Sequence, residues 1–151
     1  MSKTKNKYLT HVTCGWTTAG DYAYQTLEQK AEYLATMVRR TAYIKPNGVQ
    51  VGCAVIDERG NLYHGSNSET VWHKGIHAEV AALTAMLSAG FRKPQLVVIA
   101  SDRKLFTPCG ECCDWIYMLG GPQCKVTYLN VETGKKKSWR MGQLMPHYPK
   151  K

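Results

Sequence analysis

The chain has 151 residues, 44% of them hydrophobic and 21% charged, with a formal net charge of +9. That length closes one hydrophobic core without cross-links, and the composition is that of a globular protein rather than a disordered or membrane one. No apolar run approaches the ~20 residues needed to span a bilayer, and the basic start MSKTKNKYLTHVTCGW continues into polar residues where a secretory signal turns apolar. The expectation is a cytoplasmic protein whose thiols stay reduced.

Lysine and arginine gather at the ends: Lys3, Lys5 and Lys7, then Lys135, Lys136, Lys137, Arg140, Lys150 and Lys151. Such an excess either solvates the termini or draws in polyanions. Residues 1–20 are read as a basic N-terminal segment and residues 21–149 as a single domain.

A helix is predicted after Gly20, with Asp21 as N-cap, running to Tyr43. Its apolar stripe is Tyr24, Leu27, Ala31, Leu34 and Val38, at three- and four-residue spacing. KPNG, Lys45 to Gly48, stops it. In VQVGCAVIDERGNLYHGSN, Val51, Cys53 and Val55 alternate with smaller residues, DERGN turns, and Leu62-Tyr63-His64 returns, which predicts a β-hairpin. After a polar loop, IHAEVAALTAMLSAG reads as a helix ending at Gly90. Gln95 to Ser101, QLVVIAS, is a continuous apolar run that suits a strand buried on both faces.

CGECCDWIYMLGG reads as a second short helix of this half. CKVTYLNV and GKKKSWRM read as strands, followed by a C-terminal tail. The few residues between these last two strands exclude a parallel crossover, so the pair is predicted antiparallel. Helices interleaved with strands imply an α/β layered domain around a mixed sheet.

Six cysteines are irregularly placed, and three fall within five positions: Cys109, Cys112 and Cys113. A reduced C-x-x-C pair either binds metal or performs redox chemistry. At a helix start, Cys109 and Cys112 share one face of a turn and can grip one ion, with His77 at another helix start as a third ligand. One imidazole and two thiolates suit zinc. A structural site needs a fourth protein ligand, for which Cys113, His73 or His64 are available; otherwise the open position takes water. Glu79, two residues past His77, is then placed to move that water's protons, and zinc lowers the pKa of bound water from ~15.7 toward ~7. A redox pair leaves His77-Ala78-Glu79 without a purpose. Cys14, Cys53, Cys113 and Cys124 read as small apolar packing residues.

His77-Ala78-Glu79 together with Pro108-Cys109-Gly110-Glu111-Cys112 resembles the H-x-E and P-C-x-x-C signature of the zinc-dependent cytidine deaminase superfamily, in which the Glu is general acid/base rather than ligand. Within it, the free-nucleoside cytidine deaminases and blasticidin S deaminase are most similar. VGCAVIDERGNLYHGSNSE resembles their "VGAA…DG…GxNxE" run, TPCGEC their "SPCGxC", and QLMPHYP their terminal "LLP" segment. The resemblance implies a three-layer fold: a mixed five-stranded sheet, its last two strands antiparallel, with helices on both faces. It also implies zinc on His77, Cys109 and Cys112, and Glu79 as the catalytic residue. Asn67 and Glu69 would then hold the ribose hydroxyls, the Ala78 N–H would meet pyrimidine O2, and assembly would give a homodimer or homotetramer.

Two departures from the family pattern matter. Most compact members have Cys where His77 stands and Arg where Val80 stands. Three thiolates on a dication leave a negative charge that an Arg offsets, whereas two thiolates and a neutral imidazole sum to zero. Val49 also stands where the family often has an aromatic ring, which opens the pocket to a larger or N4-modified base; Trp72 or Phe106 can supply a ring instead.

The reaction implied is hydrolytic deamination of cytidine, deoxycytidine or a related nucleoside to the uridine product with loss of ammonia. The alternatives are a deaminase of a cytosine nucleotide, RNA or single-stranded DNA that exploits the positive charge, and a non-enzymatic zinc module with four protein ligands.

Overall fold

A computed structural model describes residues 26–46, 48–70 and 75–149. The basic segment 1–20, Asp21, Tyr24, Cys14, Trp72 and His73 lie outside the described residues.

The first helix, α1, spans Leu27–Val38 and continues as a 3-10 turn over Arg39–Thr41. Its N-cap is Thr26: the Gln29 N–H donates to Thr26 Oγ1 at 3.2 Å, and the Thr26 N–H donates to Gln29 Oε1 at 3.0 Å. This reciprocal pair satisfies two N–H groups that a helix start leaves without partners. Of the predicted stripe, Ala31 and Val38 are buried and Leu34 is packed at the core's edge, whereas Leu27 is 37% exposed; Ala35 completes the buried face. The helix does not reach Tyr43. Thr41 Oγ1 donates to the Val38 carbonyl at 2.8 Å, and the chain then turns extended so that Tyr43 bridges Ser68. Tertiary pairing overrides local helical preference here.

β1 (Gly52–Asp57) and β2 (Leu62–Ser66) form the predicted antiparallel hairpin, followed by α2 (Ala78–Ser88), β3 (Pro94–Ser101), α3 (Gly110–Gly120), β4 (Lys125–Asn130) and β5 (Lys136–Arg140). The sheet order is β2-β1-β3-β4-β5. β3 and β4 are parallel, with α3 in the connection, and β4 and β5 are antiparallel, pairing Lys125 with Arg140 and Leu129 with Lys136. A short helix, α4 (Met141–Leu144), stands where a tail is expected. The chain after it folds back on α3: Tyr148 OH donates to Asp114 Oδ1 at 2.6 Å, and the rings of Tyr148 and Tyr117 stack 4.1 Å apart.

Alternation along the strands sends side chains to both faces. Leu96, Val98 and Ala100 meet Ala31 and Ala35 of α1 on one face. Val97 and Ile99 meet Ala82, Leu83 and Met86 of α2 and Ile116 of α3 on the other. The result is three layers with the sheet in the middle. Leu83, Met86, Ile99 and Ile116 are fully buried, each worth roughly 1.5–3 kcal/mol relative to exposure. Gly65 lets the layers close, because a Cβ there would lie 2.6 Å from Ala81 Cβ and from the Ala82 nitrogen of α2.

The DERGN turn is built on a buried carboxylate. Asp57 accepts from the Arg59 and Asn61 N–H groups at 2.8 and 2.9 Å, from Asn61 Nδ2 at 2.9 Å and from Tyr63 OH at 3.0 Å. Cys53 and Cys124 are buried packing residues, and burial pushes the Cys124 thiol up to about 12 even with Arg140 pulling it down. Among the described residues no helix is long and apolar enough to cross a membrane.

Candidate metal centre

Two helix starts converge to make the site. His77 is the N-cap of α2 and Cys109 the N-cap of α3; both have extended backbones, and neither side chain caps its helix. Cys112 is the third residue of α3. A residue at N-cap and one at N3 face each other across the first turn, the proximity that a capping box uses. In C-x-x-C the same proximity brings two sulfurs together.

Nδ1 of His77 lies 3.3 Å from Cys112 Sγ and 3.3 Å from Cys109 Sγ. The three donor atoms all lie within 4.8 Å of one another. Zinc bonded to sulfur and nitrogen at tetrahedral angles sets S···N near ~3.5 Å, so the triad is spaced for that ion. His77 and Cys109 are exposed and Cys112 is buried, which puts one side of the triad toward solvent. Cys113, the neighbour of a ligand, points away: it is buried, its Sγ lies 3.4 Å from the Pro108 carbonyl, and its thiol is pushed up to about 11, first by burial and then by Cys109 and Glu79. Among the described residues the metal-ligating cluster is His77, Cys109 and Cys112; neither Cys113 nor His64 joins it.

Glu79, the second residue of α2, is only 2% exposed. Burial raises its carboxyl pKa; the helix-start N–H, the charge of His77 and a hydrogen bond with Cys112 oppose that rise. Burial and then the Glu79 charge hold the Cys112 thiol well above its ordinary range. A dication at the triad reverses that balance, because it favours the thiolate.

A cleft of about 500 Å³ opens over the triad, the size of a small-molecule site. Val49, Val51, Asn67, Glu69, His77, Ala78, Glu79, Phe106 and Cys109 all contribute to its lining, so the structure brings together every described residue that the sequence assigns to substrate. Ala78 is the first residue of α2, where an N–H has no partner within the helix. Phe106 stacks on Tyr128 with ring centroids 5.9 Å apart, which fixes one edge of the cleft. Glu69 Oε2 accepts from the Lys45 N–H at 3.3 Å. Lys45, also at the cleft, is a residue the sequence assigned only to a helix stop.

Fold and site define a zinc-binding deaminase-type domain. Residues 25–128 match the family described as the cytidine and deoxycytidylate deaminase zinc-binding region, and the chain belongs to that family. A cytidine deaminase of Sporosarcina psychrophila is 34% identical over 76 residues, a match spanning 49% of this chain and 56% of that protein, little more than half of its length. The crystal structure of cytidine deaminase from Burkholderia pseudomallei superposes with a TM-score of 0.72 at 26% identity, over 79% of this chain and 96% of that one. Cytidine deaminase from Mycobacterium leprae superposes with a TM-score of 0.68 at 24% identity, over 80% of this chain and 98% of that one, and shares the fold.

Proposed function

We propose that the chain is a zinc-dependent hydrolase that converts cytidine, deoxycytidine or a related N4-modified cytosine nucleoside to its uridine product and ammonia. The observation that carries this reading is a buried carboxylate, Glu79, against a triad of one imidazole and two thiols that leaves one side open to a nucleoside-sized cleft.

His77 Nδ1, Cys109 and Cys112 would hold the zinc, whose Lewis acidity would make water nucleophilic near neutral pH. Glu79 takes one proton from the attacking water and delivers it to N3, where it stays. It then takes the second from the new C4 hydroxyl and delivers it to the departing amine, which leaves as ammonia as the C4 carbonyl forms. A buried carboxylate beside the triad is placed to pass protons in both directions. The Ala78 N–H holds pyrimidine O2. Glu69 and Asn67 grip the sugar hydroxyls as acceptor and donor. Val49, smaller than a ring, leaves room for a substituted base, with Phe106 as the aromatic edge.

Lys45 supports a second reading in which a nucleoside monophosphate is taken. It is the one Lys or Arg among the described residues lining the cleft, beside the carboxylates Glu69 and Glu79, and its side chain could meet an anionic substituent there. The exposed apolar residues Tyr43, Ile76 and Leu105, at 74%, 55% and 61%, support burial against a second copy in a homodimer or homotetramer. The working compartment on this reading is the cytoplasm.

The test follows ultraviolet absorbance as zinc-loaded protein meets cytidine, deoxycytidine, N4-alkyl and N4-acyl analogues, blasticidin S, the monophosphates and single-stranded RNA or DNA. Turnover of at least one free nucleoside, abolished in Glu79→Ala with zinc retained, is the expected result. Uridine appearing only in polynucleotide, with every small substrate inert, would contradict it.

A further inference from the structure

The nucleoside reading gives Asn67 a sugar contact; its geometry gives it a second task. The hairpin ladder ends at the pair Gly52 and Ser66. Beyond that pair, residues 49–51 belong to no strand, yet Val49 and Val51 line the cleft. The Asn67 carboxamide continues the ladder in place of backbone. Its Oδ1 accepts from the Val51 N–H at 2.8 Å, and its Nδ2 donates to the Val49 carbonyl at 2.8 Å. The Asn67 N–H also donates to the Val51 carbonyl at 3.2 Å, and its carbonyl accepts from Tyr43 at 3.1 Å. A carboxamide presents a donor and an acceptor at the spacing of a peptide group and keeps a second N–H for the sugar, so one residue fixes both ends of the Val49–Val51 wall.

We propose that Asn67 is a positioning residue for the base pocket: by clamping Val49 and Val51 it sets how far that wall stands from the substrate ring, and so how strongly a bulky base is refused. This rests on the cytosine-nucleoside reading. A carboxylate at position 67 would face the Val49 carbonyl with no donor, and a serine would fall short of both groups.

The experiment measures kcat and KM for wild type, Asn67→Ser and Asn67→Asp with cytosine and 5-bromocytosine carried on ribose and on 3′-deoxyribose. The variants are expected to raise KM for cytidine and to narrow the preference for cytosine over 5-bromocytosine by about tenfold. The narrowing should be the same on both sugars, with zinc content unchanged. A loss confined to substrates bearing the 3′-hydroxyl, with base preference intact, would overturn the proposal. So would a fall in kcat with KM and base preference unchanged, which marks only a smaller folded fraction.

Amide hydrogen exchange in the wild-type chain is decisive even where the variants do not fold. Slow exchange of the Val51 N–H is expected, and exchange at the rate of an open loop would overturn the clamp. Wild type inactive on every cytosine nucleoside would instead sink the functional reading, with Val51 exchange still reporting on the clamp itself.

Discussion

His77 Nδ1 and Cys112 Sγ stand 3.3 Å apart although 35 residues separate them in the chain. Neither residue belongs to a strand. Two helix starts bring them together, and such starts concentrate N–H dipoles that favour anionic thiolates. The contact is therefore the point at which the fold commits itself to a cation.

That commitment separates two adjacent cysteines. Cys112→Ser removes a ligand and should drop zinc to well below one ion per chain. Cys113→Ser removes a thiol that faces the Pro108 carbonyl, and should leave zinc content unchanged while costing stability. Metal analysis of the two purified variants checks this; zinc lost equally from both would place Cys113 in the coordination sphere.

The Asp57 turn predicts a pH dependence. Burial alone would raise this carboxyl, but the hydrogen bonds from Asn61, Arg59 and Tyr63 outweigh it and hold the pKa below the ordinary carboxylate value. A folded-state value below the unfolded ~3.9 contributes stability above that pH and loses it as pH falls through the folded value. Asp57→Asn should cost about 1–3 kcal/mol at pH 7, and the gap should shrink below pH 4. Urea unfolding of both proteins at pH 7 and pH 3 measures it; a gap constant with pH would remove the carboxylate's charge from the explanation.

Charge balance at the triad predicts a coupled pair. Two thiolates and a neutral imidazole neutralise a zinc dication, and Val80 stands one residue past Glu79 where no counter-charge is required. His77→Cys should impair turnover by leaving the centre anionic, and Val80→Arg should impair it by adding an unbalanced cation. Together they should restore activity at least about tenfold over His77→Cys alone, a coupling near 1.4 kcal/mol. Additive losses in the cycle would show that the two positions do not share charge.

Much of the site was legible because its signals are local. C-x-x-C at a helix start, H-x-E at another and an apolar run between them each state their geometry within a few residues. The hairpin and the antiparallel last pair followed from turn length. What stayed hidden depends on partners far along the chain. Asn67 clamps Val49 and Val51 across 18 and 16 residues, and no polar-loop pattern announces it. Tyr148 docks on Asp114 across 34 residues, which turns an expected tail into packed structure. The early end of α1 follows from the bridge between Tyr43 and Ser68, a tertiary choice invisible in a helical run. Asp57 reads as a turn residue in DERGN, and its burial becomes visible only once Tyr63 closes over it.

Glu79 divides binding from chemistry. It is buried beside the ligands but outside the donor triad. Glu79→Gln keeps the shape and removes the proton shuttle, so kcat should fall by at least about a hundredfold with zinc still near one per chain. Atomic absorption alongside the turnover assay checks both halves; zinc lost with the carboxylate would make Glu79 a ligand.

The coordination sphere itself is the most direct object to measure, by zinc K-edge X-ray absorption on the purified wild-type chain. Two sulfurs near ~2.3 Å and two light atoms near ~2.0–2.1 Å, one of them an exchangeable water, are expected. Three or four sulfurs, or two imidazoles filling the light-atom positions, would describe a closed structural centre and contradict a hydrolytic one.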